Sequence, residues 1–173
     1  HAARAAIASV RLREDCRICA IVARGAGQRH ALEEWAMDWI TWDDTLDTGH
    51  ARMNADHKEL AGLFNLLRAA IDSGKGNASC AKVLDDIIGH AKTHFEFEER
   101  LMTQHQYPKA EQHAGEHAML ISQALDYRKS FDLDSAASRS DLMRFPEVWL
   151  SFHILFSDKE LAAFLARDQA NPG

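Results

Sequence analysis

The residues best suited to chemistry lie in the segment His-Phe-Glu-Phe-Glu-Glu at positions 94–99. His94 and Glu98 are four residues apart, and on an α-helix this spacing places both side chains on one face, one turn apart. A carboxylate buried beside a histidine requires partners, because unpaired polar groups in a core are costly. The imidazoles and the carboxylate elsewhere in the chain that could serve as partners are His57, His113, His117, His153 and Asp158.

These seven side chains together indicate a metal site. A single histidine on an apolar helix face is more often a hydrogen-bonded core residue than a ligand. Here five histidines and two carboxylates fall on the predicted inner faces of four separate helices. Buried without metal, they would leave several unpaired polar groups, each costing about 1–3 kcal/mol. Imidazole with carboxylate suits iron, zinc or manganese, and no thiolate joins the set. The sequence therefore predicts a pair of metal ions inside a bundle.

Helical periodicity predicts the elements that position these ligands. The fold class is all-α, an antiparallel up-down-up-down four-helix bundle with an N-terminal arm and a further N-terminal extension. Asn54 is the expected N-cap of the first helix, and Pro146 is expected to kink the fourth. The arm comprises residues 37–53, which lack helical period. The four helices are predicted over residues 54–73, 77–104 (with residue 79 as an alternative start), 108–129 and 141–167.

Composition narrows the classes of function. The net charge of -6 argues against nucleic-acid binding, which requires a basic face. No apolar run approaches the roughly 20 residues that a bilayer-spanning helix needs. Three cysteines do not suggest a disulfide framework and favour a reducing, cytoplasmic location.

Residues 1–36 differ from the remainder, which we assign to one domain at 37–170. The segment contains six arginines and no lysine. We interpret it as a helical extension or as a linker from an upstream domain. Cys16 and Cys19 form a Cys-x-x-Cys pair, but a structural zinc site needs four ligands and the chain has no second pair. We therefore interpret them as two cysteines on a helix face.

Taken together, four motifs resemble those of the hemerythrin family, specifically bacteriohemerythrins. They are Asn-Ala-Asp-His at 54–57, His-Phe-Glu-Phe-Glu-Glu at 94–99, His-x-x-x-His at 113–117 and His-Ile-Leu-Phe-Ser-Asp at 153–158. The opening Met-Asp-Trp-Ile-Thr-Trp and the Tyr-Pro before the third helix also resemble that family. The resemblance covers about residues 37–165.

The resemblance implies a non-haem di-iron centre that binds O2 reversibly, for oxygen transport, storage or scavenging. Two irons would be bridged by Glu98, Asp158 and an oxo or hydroxo group. Spacing alone leaves the assignment of histidines open, whereas the resemblance places His113, His117 and His153 on one iron. His57 and His94 then leave the other iron with five ligands and an open position. The residues predicted by position to form a dry O2 pocket are Leu60, Phe95, Trp149, Leu150, Ile154 and Leu161.

Other features depart from the family pattern or leave alternatives open. His90 stands where the family commonly has Tyr, and we expect it to lie in the shell outside the ligands. The preponderance of imidazoles favours binding over catalysis, so we predict that the protein is not an enzyme. The first alternative is an O2- or redox-sensing module joined to another domain through residues 1–36. The second is a di-iron enzyme acting on nitric oxide or peroxide, or in iron-cluster repair. The sequence leaves the oligomeric state open.

Overall fold

The predicted all-α four-helix bundle is confirmed. The computed structural model describes residues 40–74, 76–132, 146 and 149–170, with no account of the side chains of 131, 132, 150 and 151. This part of the chain contains helices and no strand. The helices are a short 3-10 helix (Asp44–Leu46), α1 (Ala51–Asp72), α2 (Asn77–Gln104), α3 (Ala110–Asp132), a π-helix (Trp149–Asp158) and α4 (Lys159–Ala170). The π-helix runs directly into α4, and together they form the fourth helix of the bundle. The predicted extension at 1–36 and most of the predicted kink region around Pro146 lie outside the described residues.

The prediction that Asn54 is the N-cap of α1 is wrong. The cap is His50, which follows Gly49 with its φ of 84° and whose Nδ1 accepts the N–H of Met53 at 3.3 Å. Asn54 lies one turn inside the helix. Its Oδ1 accepts the N–H of Thr48 at 2.9 Å, so the side chain fastens the preceding loop instead of starting the helix.

The inner face of α3 also differs from the predicted one. The four-residue spacing of His113 and His117, extended along the sequence, predicts an inner face that continues to Ile121 and Leu125, but Leu125 is 39% exposed. Leu120 and Ala124 are buried instead. Repeated steps of four residues drift around a helix of 3.6 residues per turn, so a straight face alternates steps of three and four.

The apolar core forms two clusters. The larger joins the three long helices and the π-helix, and it contains Phe64, Leu84, Phe95 and Trp149. The smaller joins α1, α2 and α4, with Met53, Met102, Leu161 and Leu165 among its members.

The described part of the N-terminal arm, from residue 40 to the start of α1, packs against the bundle. Ile40 and Leu46 are buried in the larger cluster. The side chain of Asn65 accepts the N–H of Ile40 at 2.8 Å and donates to its carbonyl at 2.9 Å. Lys159, at the start of α4, donates to the carbonyl of Thr45 at 2.5 Å. Among the helices of the described ranges, none combines the length and apolar character that crossing a bilayer requires.

Candidate metal centre

The π-helix explains how the fourth helix can present two donors five residues apart. On an α-helix, residues at i and i+5 point about 140° away from each other. In a π-helix the hydrogen bonds run from i to i+5, so such residues lie above one another. His153 and Asp158 both lie within the π-helix, and both are buried. The chain therefore directs both side chains to the inside of the bundle.

All seven predicted ligands converge in the interior of the bundle. None is more than 4% exposed, and they come from α1, α2, α3 and the π-helix. Their donor atoms form two groups, within each of which all the atoms lie within 4.8 Å of one another. The five-donor group comprises Glu98, His113, His117, His153 and Asp158. The four-donor group comprises His57, His94, Glu98 and Asp158.

In the five-donor group, three imidazoles surround one oxygen from each carboxylate. His117 Nε2 lies 3.2 Å from Glu98 Oε2, and His153 Nε2 lies 3.2 Å from Asp158 Oδ1. His113 Nε2 lies between them, 3.4 Å from Glu98 Oε2 and 3.2 Å from Asp158 Oδ1.

In the four-donor group, two imidazoles face the other two carboxylate oxygens. His94 Nε2 lies 3.3 Å from Glu98 Oε1, and His57 Nε2 lies 3.1 Å from Asp158 Oδ2. The two Nε2 atoms are 2.9 Å apart. Glu98 and Asp158 thus direct one oxygen to each group, so the two groups share both carboxylates.

The hydrogen bonding of these atoms fits a metal. Both oxygens of Glu98 and of Asp158 are buried without a hydrogen-bond partner, as are the Nε2 atoms of His113, His117 and His153. Unpaired buried acceptors of this number are rare in proteins and costly. Cations would satisfy all of them together, and imidazole nitrogens with carboxylate oxygens suit iron, manganese or zinc.

The electrostatics keep most of the imidazoles ready to coordinate. Burial, reinforced by the neighbouring His57, lowers the pKa of His94 to about 4. Burial and the adjacent His153 lower the pKa of His117 to about 2, and burial also lowers the pKa of His153. These rings are therefore neutral at pH 7 and offer a lone pair, which a metal ligand requires.

Protons remain at the centre of the cluster in the absence of a metal. Burial and the charge of Asp158 raise the pKa of Glu98 to about 8. Burial acts to lower the pKa of His113, but the adjacent Asp158 and Glu98 carboxylates outweigh it and raise that pKa to about 9. Asp158 is held ionised, because the surrounding imidazoles outweigh its burial and keep its pKa well below the usual range. A metal entering the cluster must displace the protons on Glu98 and His113.

Three carboxylates outside the cluster orient imidazoles by their Nδ1 atoms, and sequence reasoning did not identify them. Asp56 lies 3.4 Å from Nδ1 of His94. The other two are Glu99, 3.0 Å from Nδ1 of His117, and Glu116, 3.2 Å from Nδ1 of His153. Glu116 remains ionised because hydrogen bonds from Ser157 and Gln112 and the nearby His153 outweigh burial and lower its pKa. The signal in the sequence was an acidic residue directly beside a predicted ligand in three places, at positions 56, 99 and 116.

His90, which the sequence predicts to lie outside the ligands, contacts α1. Its Nε2 lies 3.1 Å from the carbonyl oxygen of Asp56, and its Nδ1 lies 3.5 Å from Glu59. It does not belong to either donor group. The ring of His90 thus contacts the backbone of Asp56, the residue that precedes His57 and whose carboxylate contacts His94.

The residues of the predicted O2 pocket are divided between the two apolar clusters. Leu60, Phe95, Trp149 and Ile154 are buried in the larger cluster. Phe95 stacks on His117 with 3.9 Å between ring centroids and an interplanar angle of 9°. Leu161 is buried in the smaller cluster, and the side chain of Leu150 lies outside the described part.

Comparison with known proteins agrees with this geometry. The family model of the Hemerythrin HHE cation binding domain matches residues 48–165. Bacteriohemerythrin of Pseudomonas paraeruginosa is 30% identical over 122 residues, which are 70% of this chain and 78% of that protein. Bacteriohemerythrin of Stenotrophomonas maltophilia is 29% identical over 126 residues, 73% of this chain and 81% of its own. A hemerythrin-like protein of Naegleria gruberi is 27% identical over 126 residues, covering 73% and 93%. With its helical bundle and its buried cluster of histidines and carboxylates, the chain belongs to the hemerythrin family of cation-binding domains.

Proposed function

We propose that this domain binds O2 reversibly at a non-haem di-iron centre. The observation that carries the proposal is the division of the donors into two groups that share Glu98 and Asp158. Two ions held in these groups would have both carboxylates in common. A bridging hydroxo or oxo group would give each ion a third shared ligand.

The unequal donor numbers support a role in binding a small ligand. With three shared ligands each, an ion in the five-donor group would reach six ligands if His113, His117 and His153 held it. An ion in the four-donor group would be held by His57 and His94 and would reach five. When bound, iron supplies electrons and an open coordination position for O2 at this end of the cluster.

The chain contributes orientation and exclusion of water. The outer carboxylates accept the Nδ1 protons of three rings, so the Nε2 lone pairs of these rings face inward. Leu60 and Ile154, both 1% exposed, belong to the cluster that covers the donors on one side. A dry site slows the entry of water and the loss of oxidising species.

The donor set favours binding over turnover. Ferritin-like di-iron proteins use sets rich in carboxylates, with four Glu and two His. This cluster has two carboxylates and five imidazoles. A less anionic set stabilises high-valent iron less, which disfavours cleavage of the O–O bond.

The test is an absorption spectrum of the iron-loaded protein. Metal-free protein is loaded anaerobically with ferrous iron, its bound iron is counted, and the protein is then exposed to air and returned to argon. We expect two irons per chain and a visible band that appears with O2 and disappears when O2 is removed. Bound iron without a reversible band would contradict the proposal. Steady consumption of peroxide or nitric oxide would instead favour the enzyme alternative.

The arm provides an observation in favour of the sensing alternative. Trp42 stacks on His57 with 6.3 Å between ring centroids, and Lys159 beside Asp158 donates to the arm at Thr45. The arm therefore contacts one donor directly and the neighbour of another, and residues 1–36 precede it. Hydrogen exchange of the arm would be compared in the reduced and O2-exposed states. Identical exchange in both states would count against a signal passing along this route.

A further inference from the structure

Glu116 of α3 links the donor cluster to the helix that carries two of its donors. Its Oε1 accepts a hydrogen bond from Gln112 at 3.3 Å. Its Oε2 accepts from Nδ1 of His153 at 3.2 Å and from Oγ of Ser157 at 2.5 Å. Two of the three residues that donate hydrogen bonds to Glu116 thus belong to the π-helix, and both oxygens of the carboxylate accept hydrogen bonds.

The other two outer carboxylates have different partners. Glu99 is 44% exposed, so water competes for its contact with His117. Oδ2 of Asp56 is shared between His94 at 3.4 Å and the guanidinium of Arg52 at 3.2 Å, and Arg52 belongs to the same helix as Asp56. Glu116 differs from both because it bonds two residues of the π-helix.

The π-helix needs such a restraint. Its hydrogen-bond pattern is uncommon and usually limited to single turns. The cluster depends on this pattern, because His153 and Asp158 could not face the same side of an α-helix. Glu116 is bonded to His153 itself and to Ser157, the residue that precedes Asp158. The two contacts lie at both ends of the segment that presents the two donors.

We propose that Glu116 and Ser157 are a positioning pair for the metal centre. Glu116 accepts the Nδ1 proton of His153, which fixes the tautomer with the Nε2 lone pair directed into the cluster. Ser157 orients the Glu116 carboxylate and holds the turn that presents Asp158. Neither residue is a donor to the cluster. The inference rests on the metal centre of the proposed function but not on O2 binding.

Cobalt(II) is a suitable probe, because its visible bands depend on the number and geometry of its ligands and do not require O2. Metal-free protein is titrated with cobalt chloride, and the release of cobalt to a chelator is then followed. For Glu116→Ala we expect cobalt affinity at one of the two positions to fall about ten- to hundredfold, with altered bands at equal occupancy. Glu116→Gln keeps an acceptor oxygen without the charge, so it should recover part of this loss.

The serine is tested by coupling. Ser157→Ala should produce a smaller loss in the same phase of cobalt release, and Ser157→Thr, which keeps the hydroxyl, should restore it. In the Glu116→Ala background, Ser157→Ala should have no further effect, because the two residues act as one unit. Additive losses would overturn the pair. Glu111→Gln, which removes an exposed carboxylate from the same helix, is the matched control.

The outcomes separate this inference from the proposed function. Wild-type spectra and release rates in Glu116→Gln, Ser157→Ala and a folded Glu116→Ala would overturn the positioning role alone. If Glu116→Ala does not fold, the first two variants, which change little volume, decide the matter. Failure of the wild-type protein to bind cobalt would overturn the positioning role together with the proposed centre. Cobalt binding that responds as expected, with no O2-dependent band on iron, would leave the positioning role standing and contradict only O2 binding.

Discussion

The two ends of the donor cluster are built from different parts of the chain. The three imidazoles that belong to the five-donor group alone come from α3, at His113 and His117, and from the π-helix, at His153. The two that belong to the four-donor group alone are His57 of α1 and His94 of α2. A four-residue repeat on α3 supplies two ligands from one helix, whereas α1 and α2 supply one each. The two groups therefore differ in which helices supply their imidazoles.

The surroundings of the two ends differ in their aromatic neighbours. Phe95 stacks on His117 of the five-donor group, whereas Trp42 of the arm lies across the ring of His57 in the four-donor group. Outer carboxylates do not separate the two ends, because each group has one imidazole whose buried Nδ1 is unpaired, His113 in one and His57 in the other. The two ends are therefore distinguished by the number of donors and by the contact of the four-donor end with the arm.

Loss of a shared carboxylate should weaken metal binding at both ends of the cluster. For Glu98→Gln we expect iron affinity to fall by more than about hundredfold at both positions, which exceeds the cost of losing an outer partner. Near neutral pH the metal-free variant should be about as stable as the wild type, because the raised pKa of Glu98 keeps that side chain protonated and the amide replaces a neutral group of similar size. Iron content and thermal unfolding measure the two effects. Glu96→Gln, on the exposed side of α2, is the control.

Loss of one histidine should affect the two ends unequally. His57→Ala leaves three donors in the four-donor group, and we expect bound iron to fall to about one per chain. His153→Ala leaves four in the other group, as many as the intact four-donor group has, and should retain more iron. Iron is counted after gel filtration. Equal losses in the two variants would refute the difference in donor number as the cause.

The stability of the metal-free protein should be greatest near pH 6.5. Below that pH the two histidines bind protons in the unfolded chain but stay neutral in the folded protein, because folding lowers the pKa values of His94 and His117. The stability of the metal-free protein therefore decreases as the pH is lowered. Above it, the raised pKa values of Glu98 and His113, about 8 and about 9, mean that the folded state loses protons that had favoured it. Thermal unfolding from about pH 5 to about pH 9 measures this profile. Bound metal replaces the protons on Glu98 and His113, so the decline of stability above pH 6.5 should become shallower. A profile unchanged by metal would contradict the assignment of these two residues to the metal centre.

A polar residue in the apolar cover should produce the smallest of these effects on the iron. Leu60 lies one turn after His57 and is 1% exposed. For Leu60→Ser we expect oxidation of the reduced, O2-exposed protein to be about tenfold faster, equivalent to about 1.4 kcal/mol in the barrier. Leu66→Ser changes a residue of the same helix that is 51% exposed and should leave the rate unchanged. Equal rates in the two variants would show that the cover does not exclude water.

The fold followed from the sequence wherever a pattern was local. Gly76 precedes α2, which begins at Asn77, one of the two predicted starts, and ends at Gln104 as predicted. Helix starts were less predictable, because His50 became the cap by placing Nδ1 near the N–H of Met53, a contact that depends on the preceding turn. The roles of Asp56, Glu99 and Glu116 were missed for a related reason. A residue next to a ligand in the sequence lies on a different face of the helix from that ligand. Each of these acids meets an imidazole of another helix, so the contact depends on how the helices pack.

The sequence by itself determined which side chains could meet, since four motifs supply five imidazoles and two carboxylates. It did not determine how His153 and Asp158 reach the same side, because a spacing of five is out of phase with an α-helix. The π-helix resolves this conflict, and its hydrogen bonds to Glu116 are contacts between residues about forty positions apart. Local periodicity cannot encode such a contact, so the tertiary structure decided the division of the donors into groups of five and four.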